Sequence, residues 1–181
     1  MKPRLFVSLF VGVLLLALSM VAGACGGGSG GSGGGGELTL EEYFQRLEVV
    51  ASDYDQRGDA LFESFGEEFD SEEEQIRATQ EFWIEFLVLL EEFVGDLADV
   101  DPPSEVEASH EESVDAGAQM LKAFREFVDG VTQAESLTEL AEGFDDIELD
   151  AAGDRFEQAC VELQGIADEN GIDVDLECGE E

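Results

Sequence analysis

Basic residues are scarce in this chain: 8 Lys plus Arg stand against 45 Asp plus Glu in 181 residues. A surface so negative repels phosphate backbones and anionic headgroups, which argues against nucleic acid as a partner and against adsorption to an acidic bilayer. It attracts cations and basic protein patches, so weak cation binding is expected beside the plainer roles of solubility and tolerance of salt. Histidine is scarcer still, with His110 the one imidazole. A di-iron carboxylate bundle uses two Glu-x-x-His pairs, so that chemistry is excluded. No nucleophile elbow lies between a strand and a helix, and no glycine loop leads into Lys-Ser or Lys-Thr to cradle a phosphate. No catalytic residue is assigned, no cofactor is implied, and the expectation is a protein that is not an enzyme. Strand patterns are also missing, since no convincing pair of alternating segments occurs. Among 3 cysteines, Cys25, Cys160 and Cys178, none forms the C-x-x-C spacing of a redox couple.

What is present begins at the N-terminus. Lys2 and Arg4 precede an uncharged apolar stretch, Leu5 to Ala22, which ends in the small residues Val21-Ala22-Gly23-Ala24 before Cys25. A basic start, an apolar core and a small-residue cleavage site make an export signal. The stretch resembles a lipobox, the bacterial motif cut just before a cysteine whose thiol receives diacylglycerol. It departs from the usual pattern in one place, holding Ala22 where Leu is common. Two alternatives stay open: cleavage by the ordinary signal peptidase at Ala22-Gly23-Ala24, and an uncut stretch that spans the membrane, although it is short for that.

Two features favour the lipoprotein. Residues 26 to 36 contain only Gly and Ser, a leash that spans roughly 18 Å as a random coil and lets a tethered domain move clear of the bilayer. If Cys25 is acylated, Cys160 and Cys178 remain as an even pair in an oxidising compartment, where a disulfide is the expected outcome. Its expected role is structural, clipping the C-terminal tail to the last helix. The resemblance implies a signal at residues 1–24, a lipidated Cys25 with its leash at 25–36, and an acidic domain at 37–181. Removing Lys2 and Arg4 leaves 6 basic residues against 45 acids, a formal charge of −39. The implied location is the bacterial cell envelope, extracytoplasmic and lipid-anchored. The domain resembles uncharacterised helical extracytoplasmic lipoproteins, a likeness that implies location and not activity.

The domain is long enough to bury one core. Thr39 and Glu42 form a capping box ahead of a first helix, whose stripe runs through Leu40, Phe44, Leu47, Val50, Ala51, Tyr54, Leu61, Phe62 and Phe65 to an end near Gly66. Ser71 and Glu74 repeat the cap before a second helix that buries Ile76, Trp83, Phe86, Leu87, Leu90, Phe93, Val94 and Leu97. Phe82, Ile84 and Leu89 widen its apolar surface, so this helix is either the most buried or faces a partner. Asp101-Pro102-Pro103 stops it, because proline lacks the amide and restricts the residue before it. A third helix from about Ser104 aligns Val106, His110, Val114, Gly117, Leu121, Phe124, Val128 and Val131. Ser136 and Glu139 open a short helix, Asp145-Asp146 interrupt it, and a longer one carries Leu149, Phe156, Cys160, Leu163, Ile166 and Ala167 to Asn170-Gly171. The tail then alternates apolar and acidic residues, which places Ile172, Val174 and Leu176 inward. Short connections between such helices imply an all-α, up-down antiparallel four-helix bundle, about 40 Å long, with a disulfide-clipped extended C-terminal tail.

Few residues remain as candidate chemistry. Glu107 and His110 stand three apart on one helix and are the metal candidates, although the plainer reading makes His110 a packed, hydrogen-bonded core residue. Asp168, Glu169 and Asn170 with Asp173, Asp175 and Glu177 lack the spacing of a calcium loop. The paired acids Glu67-Glu68, Glu91-Glu92, Glu111-Glu112 and Asp145-Asp146 read as solvated faces. Two functions follow as expectations. One is a non-enzymatic interaction or structural module that meets another envelope protein. The alternative is an extracytoplasmic binding protein for a cation or small basic ligand.

Overall fold

The computed structural model describes residues 38–65, 69–145, 149–176 and 178. The signal, Cys25, the Gly/Ser leash, Gly66, the Glu67-Glu68 pair, Asp146 and Glu177 lie outside them. The chain is all-helical, with no strand among the described residues. Its helices are α1 (Leu40–Ser64), α2 (Glu72–Ala98), α3 (Glu107–Gln133), α4 (Leu137–Asp145) and α5 (Leu149–Glu169). The four long ones pack together. Helix α3 is the hub, packed against α2, α4 and α5, while α1 lies on α2.

The helix starts are written in the sequence. Thr39 Oγ1 accepts from the Glu42 amide at 3.2 Å, and the Glu42 carboxylate accepts from the Thr39 amide at 3.0 Å. The carboxylate also accepts from the Thr39 hydroxyl at 2.9 Å, and the bonds it accepts from the amide and, second, from the hydroxyl hold the Glu42 carboxyl below its ordinary pKa. Ser71 caps α2 by accepting from the Glu74 amide at 3.2 Å, but Glu74 reaches back to the amide of Asp70 rather than of Ser71. Helix α4 repeats that variant: Ser136 accepts from Glu139, and Glu139 accepts from the Glu135 amide. Helix α3 starts at Glu107, later than the sequence suggests, because Ser104 to Val106 form a turn after the prolines. Val106 supplies no side-chain cap; its amide donates to the Pro103 carbonyl at 3.0 Å, and its side chain is buried.

Two apolar clusters make the core. One joins Tyr43, Phe44 and Leu47 of α1 with Leu97, Val100, Val106, Leu163 and Ala167, and closes over Leu176 of the tail. The other joins Leu90 and Val94 of α2 with Leu121, Phe124, Phe127, Val128 and Val131 of α3 and Leu140 of α4. Rings dominate the second. Phe124 lies 5.4 Å from both Phe86 and Phe127 and 5.7 Å from Trp83, in tilted arrangements favoured by the ring quadrupoles. Burying each such side chain stabilises by roughly 1.5–3 kcal/mol, so the helices are held by these faces more than by helix propensity.

The face of α2 differs from the periodicity reading. Phe82 and Leu89 are fully buried with Leu90, Val94 and Leu97, whereas Ile76, Trp83, Phe86 and Leu87 are half-buried. Ile84 and Val88 remain exposed. A helix with apolar residues on most sides has no unique stripe, so its rotation is chosen by its neighbours.

Gly117 is where α3 comes close to other elements. A methyl group there would meet Val94 at 3.4 Å and Phe156 at 3.6 Å, ordinary contact distances. At the far end of α5 the Asn170 amide donates to Ile166 and Ala167, and Gly171 takes φ of 69°, the left-handed conformation that ends many helices. The tail alternates as its pattern implies: Leu176 is buried, Ile172 and Val174 are half-buried, and Asp173 and Asp175 are exposed. Cys178 is joined to Cys160 by a disulfide that bridges a sequence separation of 18, with the Cα atoms 5.5 Å apart.

Candidate functional site

His110 sits in the first turns of α3, where the helical stripe turns it inward, and it is 4% exposed. Its Nδ1 lies 3.0 Å from the hydroxyl of Tyr43, a residue of α1 that is wholly buried. The two rings meet edge to face at 5.7 Å, and Phe44 packs edge to face on Tyr43 at 5.1 Å. Burial pushes the imidazole below its ordinary pKa, against a smaller opposite pull from the Glu111 carboxylate. Burial also pushes the Tyr43 hydroxyl far above its ordinary value. Both groups are therefore neutral at physiological pH. The hydroxyl donates to Nδ1 when the ring proton is on Nε2, and accepts when it is on Nδ1. The pair is chemically suited to joining α1 to α3 inside a dry core, where breaking one partner is costly.

Glu107, the other metal candidate, is exposed, so the structure leaves the two candidates in different environments. Among the described residues no group of three or more His, Cys, Asp or Glu side chains is placed to hold a metal ion. The acids at 168–170 belong to a helix end, where Asp168 accepts from Gln164 at 3.1 Å and the Asn170 side chain donates to the Ile166 carbonyl at 2.8 Å.

Three of the scarce bases, all arginines, share one use. Arg57 of α1 pairs with Glu92 of α2, Arg125 of α3 with Glu91 of α2 at 2.8 Å, and Arg155 of α5 with Glu112 of α3. Each of these arginines crosses a different seam between long helices. The acids Glu91, Glu92 and Glu112, read as solvated faces, are thus also the acceptors of these bridges. All are half-exposed, so each pair contributes well under the desolvated value, roughly 0–1 kcal/mol. Their placement matters more than their strength, because in a domain this acidic an unbridged seam would hold like charges on both sides.

An open cleft of about 470 Å³ lies where α2 begins, lined by Glu72, Glu73, Ile76, Arg77, Gln80 and Glu135. Gln80 is committed to structure there: its Nε2 donates to the carbonyls of Val131 at 3.1 Å and Ala134 at 3.0 Å, satisfying the open end of α3.

No protein-family model, curated protein or solved structure matches this chain. Among the described residues, no helix is long and apolar enough to cross a membrane.

Three polar residues escaped the sequence reading. Tyr43 was recoverable, because Leu40, Tyr43 and Leu47 follow helical spacing beside Phe44 and extend the apolar face. Gln80 and Gln164 carry no such signal, since their partners are backbone groups of segments distant in sequence or beyond a helix end.

Proposed function

We propose that this chain is an exported bacterial lipoprotein, anchored through diacylglycerol on Cys25, whose helical domain is a non-enzymatic interaction or structural module of the cell envelope. The observation that carries this reading is the use of cysteine. Cys160 and Cys178 are joined to each other, so of the 3 cysteines Cys25 is the remaining one, and it stands directly after the export signal. The glycine and serine leash that follows suits a tethered domain. The buried His110–Tyr43 pair supports a structural role for the only imidazole, which leaves an enzyme without its commonest acid–base group.

The architecture we propose for the domain is an up-down antiparallel four-helix bundle with an extended tail. The pairs Arg57–Glu92, Arg125–Glu91 and Arg155–Glu112 support it, and so do the contacts Tyr54–Phe93 and Phe62–Phe82 between α1 and α2. In this reading α4 and α5 divide the fourth column between them. The partner is another envelope protein carrying a basic patch, in keeping with the acidic surface.

Mass spectrometry of the N-terminal peptide from the membrane fraction tests the anchor. The expected species begins at Cys25 and carries a thioether-linked diacylglycerol, and Cys25→Ala moves the protein out of that state. An unmodified Cys25 at the N-terminus of a soluble protein, or an uncut chain beginning at Met1, would sink the reading. Cross-linking in intact cells tests the partner: recovery of the domain uncoupled from any envelope protein removes the interaction role.

A further inference from the structure

The tail is held against α5 and α1 by hydrogen bonds and apolar contacts, and one covalent bond stands among them. Gln164 of α5 grips its backbone with both ends of the side-chain amide: Nε2 donates to the Val174 carbonyl and Oε1 accepts from the Leu176 amide, each at 3.0 Å. The Asp175 amide donates to the Glu48 carboxylate of α1 at 3.4 Å, a long bond between exposed groups. Among the described tail residues Leu176 alone is buried, in the cluster of Tyr43, Phe44, Leu47 and Leu163, with Ile172 and Val174 half-buried beside it.

Those contacts oppose a substantial loss. Every residue laid along the helices gives up its backbone freedom, and a stretch outside helices or sheets has no cooperative ladder to offset it. One buried leucine, two half-buried β-branched side chains and two good hydrogen bonds are of the same order as that loss. Asp173 and Asp175 add negative charge to a surface that is already acidic. The disulfide tips this balance, because while it stands it closes the tail onto α5 covalently and turns docking into the settling of a short loop. The long helices differ. Helix α3 alone buries Leu121, Phe124, Phe127, Val128 and Val131, which belong to the other apolar cluster.

We propose that residues 172–176 are a strap latched by the Cys160–Cys178 disulfide, and that reduction of this one disulfide by a dithiol releases the strap while the helices stay folded, uncovering the apolar cluster that Leu176 closes. Both cysteines are half-buried, so a small thiolate can reach them. The balance is that of thiol–disulfide exchange. A thiolate of the reductant attacks one sulfur and the Cys160–Cys178 bond breaks. The second reductant thiol then closes its own disulfide, leaving two protein thiols. The reductant loses two electrons and the cystine gains them. The strap transfers no electrons to a further substrate; it is a structural lock that can be opened. The inference goes beyond the proposed function and does not depend on how Cys25 is modified.

Hydrogen exchange of the full chain, followed by mass spectrometry before and after dithiothreitol, tests it. The expected result is that the peptide containing Val174 to Leu176 loses protection by about tenfold or more, while peptides from Phe82 to Val131 keep theirs. Trp83 fluorescence, which reports the other cluster, stays unchanged. The double substitution Cys160→Ser with Cys178→Ser reproduces the released pattern without reductant. A strap that stays protected in the reduced chain or in the double variant overturns the proposal, because its own contacts then suffice. Loss of protection throughout α2 and α3 on reduction overturns it as well, because the disulfide then holds the whole domain rather than one segment.

Discussion

Replacing Tyr43 by Phe probes the contact that joins α1 to α3. The substitution keeps the ring, and therefore the packing on Phe44 and the edge-to-face contact with His110, and removes only the hydroxyl. No cavity of any size results, so the transfer and cavity costs of a core truncation do not enter. What is lost is the 3.0 Å bond to Nδ1, inside a site where His110 is 4% exposed. Leaving that nitrogen unpaired costs about 1–3 kcal/mol. Urea unfolding at about pH 8 should show this, with an unchanged m-value marking a stability effect alone. In a double-mutant cycle with His110→Leu, the two losses should fall short of additivity by about 1 kcal/mol, because both remove the same bond.

The pH dependence carries a sign. Burial holds the folded pKa of His110 below the ordinary imidazole value of about 6.5, so the unfolded chain takes up the proton first as pH falls. Stability from the neutral imidazole is therefore complete above the unfolded value and is lost as pH falls through it toward the folded value, by at most about 1.4 kcal/mol per pH unit for one group. The wild type should consequently lose ground to His110→Leu on acidification through that window, while every other titratable group is common to both proteins. A Tyr43→Phe cost under about 0.5 kcal/mol without coupling, or a stability gap that widens on acidification, would refute the reasoning.

Other outcomes follow from single contacts. Gly117→Ala places a methyl at ordinary distance from Val94 and Phe156 and gains helix propensity, so the melting temperature should rise by an amount worth up to about 1 kcal/mol; Gly117→Leu should destabilise by about 1–3 kcal/mol through overpacking. Gln80→Leu removes the donor shared by the Val131 and Ala134 carbonyls, and thermal unfolding should report a loss of about 1–2 kcal/mol. Salt should raise the melting temperature of the full chain, because repulsion among 45 acids outweighs the arginine bridges that salt also weakens. A melting temperature that falls with added sodium chloride would assign the bridges the larger share.

Much of the fold was legible because its signals are local. Thr39 with Glu42, Ser71 with Glu74 and Ser136 with Glu139 mark helix starts within four residues of chain, and capping needs no partner from elsewhere. The same locality reveals Pro102-Pro103 as a stop and Gly171 as an exit. The period-two pattern of the tail appears in its alternating burial for the same reason. His110 was legible as a core-facing position, but its partner lies 67 residues away, and no spacing rule links two such positions.

The amino-acid order by itself determined the starts of α1, α2 and α4, the inward stripe of α3 and the acidic character of the surface, since each depends on neighbours within a turn or on composition alone. The tertiary structure decided which side of α2 is buried, because that helix is apolar nearly all round and only packing selects Phe82 and Leu89 over Trp83 and Ile76. It decided where Arg57, Arg125 and Arg155 go, one across each of three helix seams, and that Gln164 rather than a strand partner grips the tail's backbone. Those choices join groups far apart along the chain, and their energies exist only once the helices have come together.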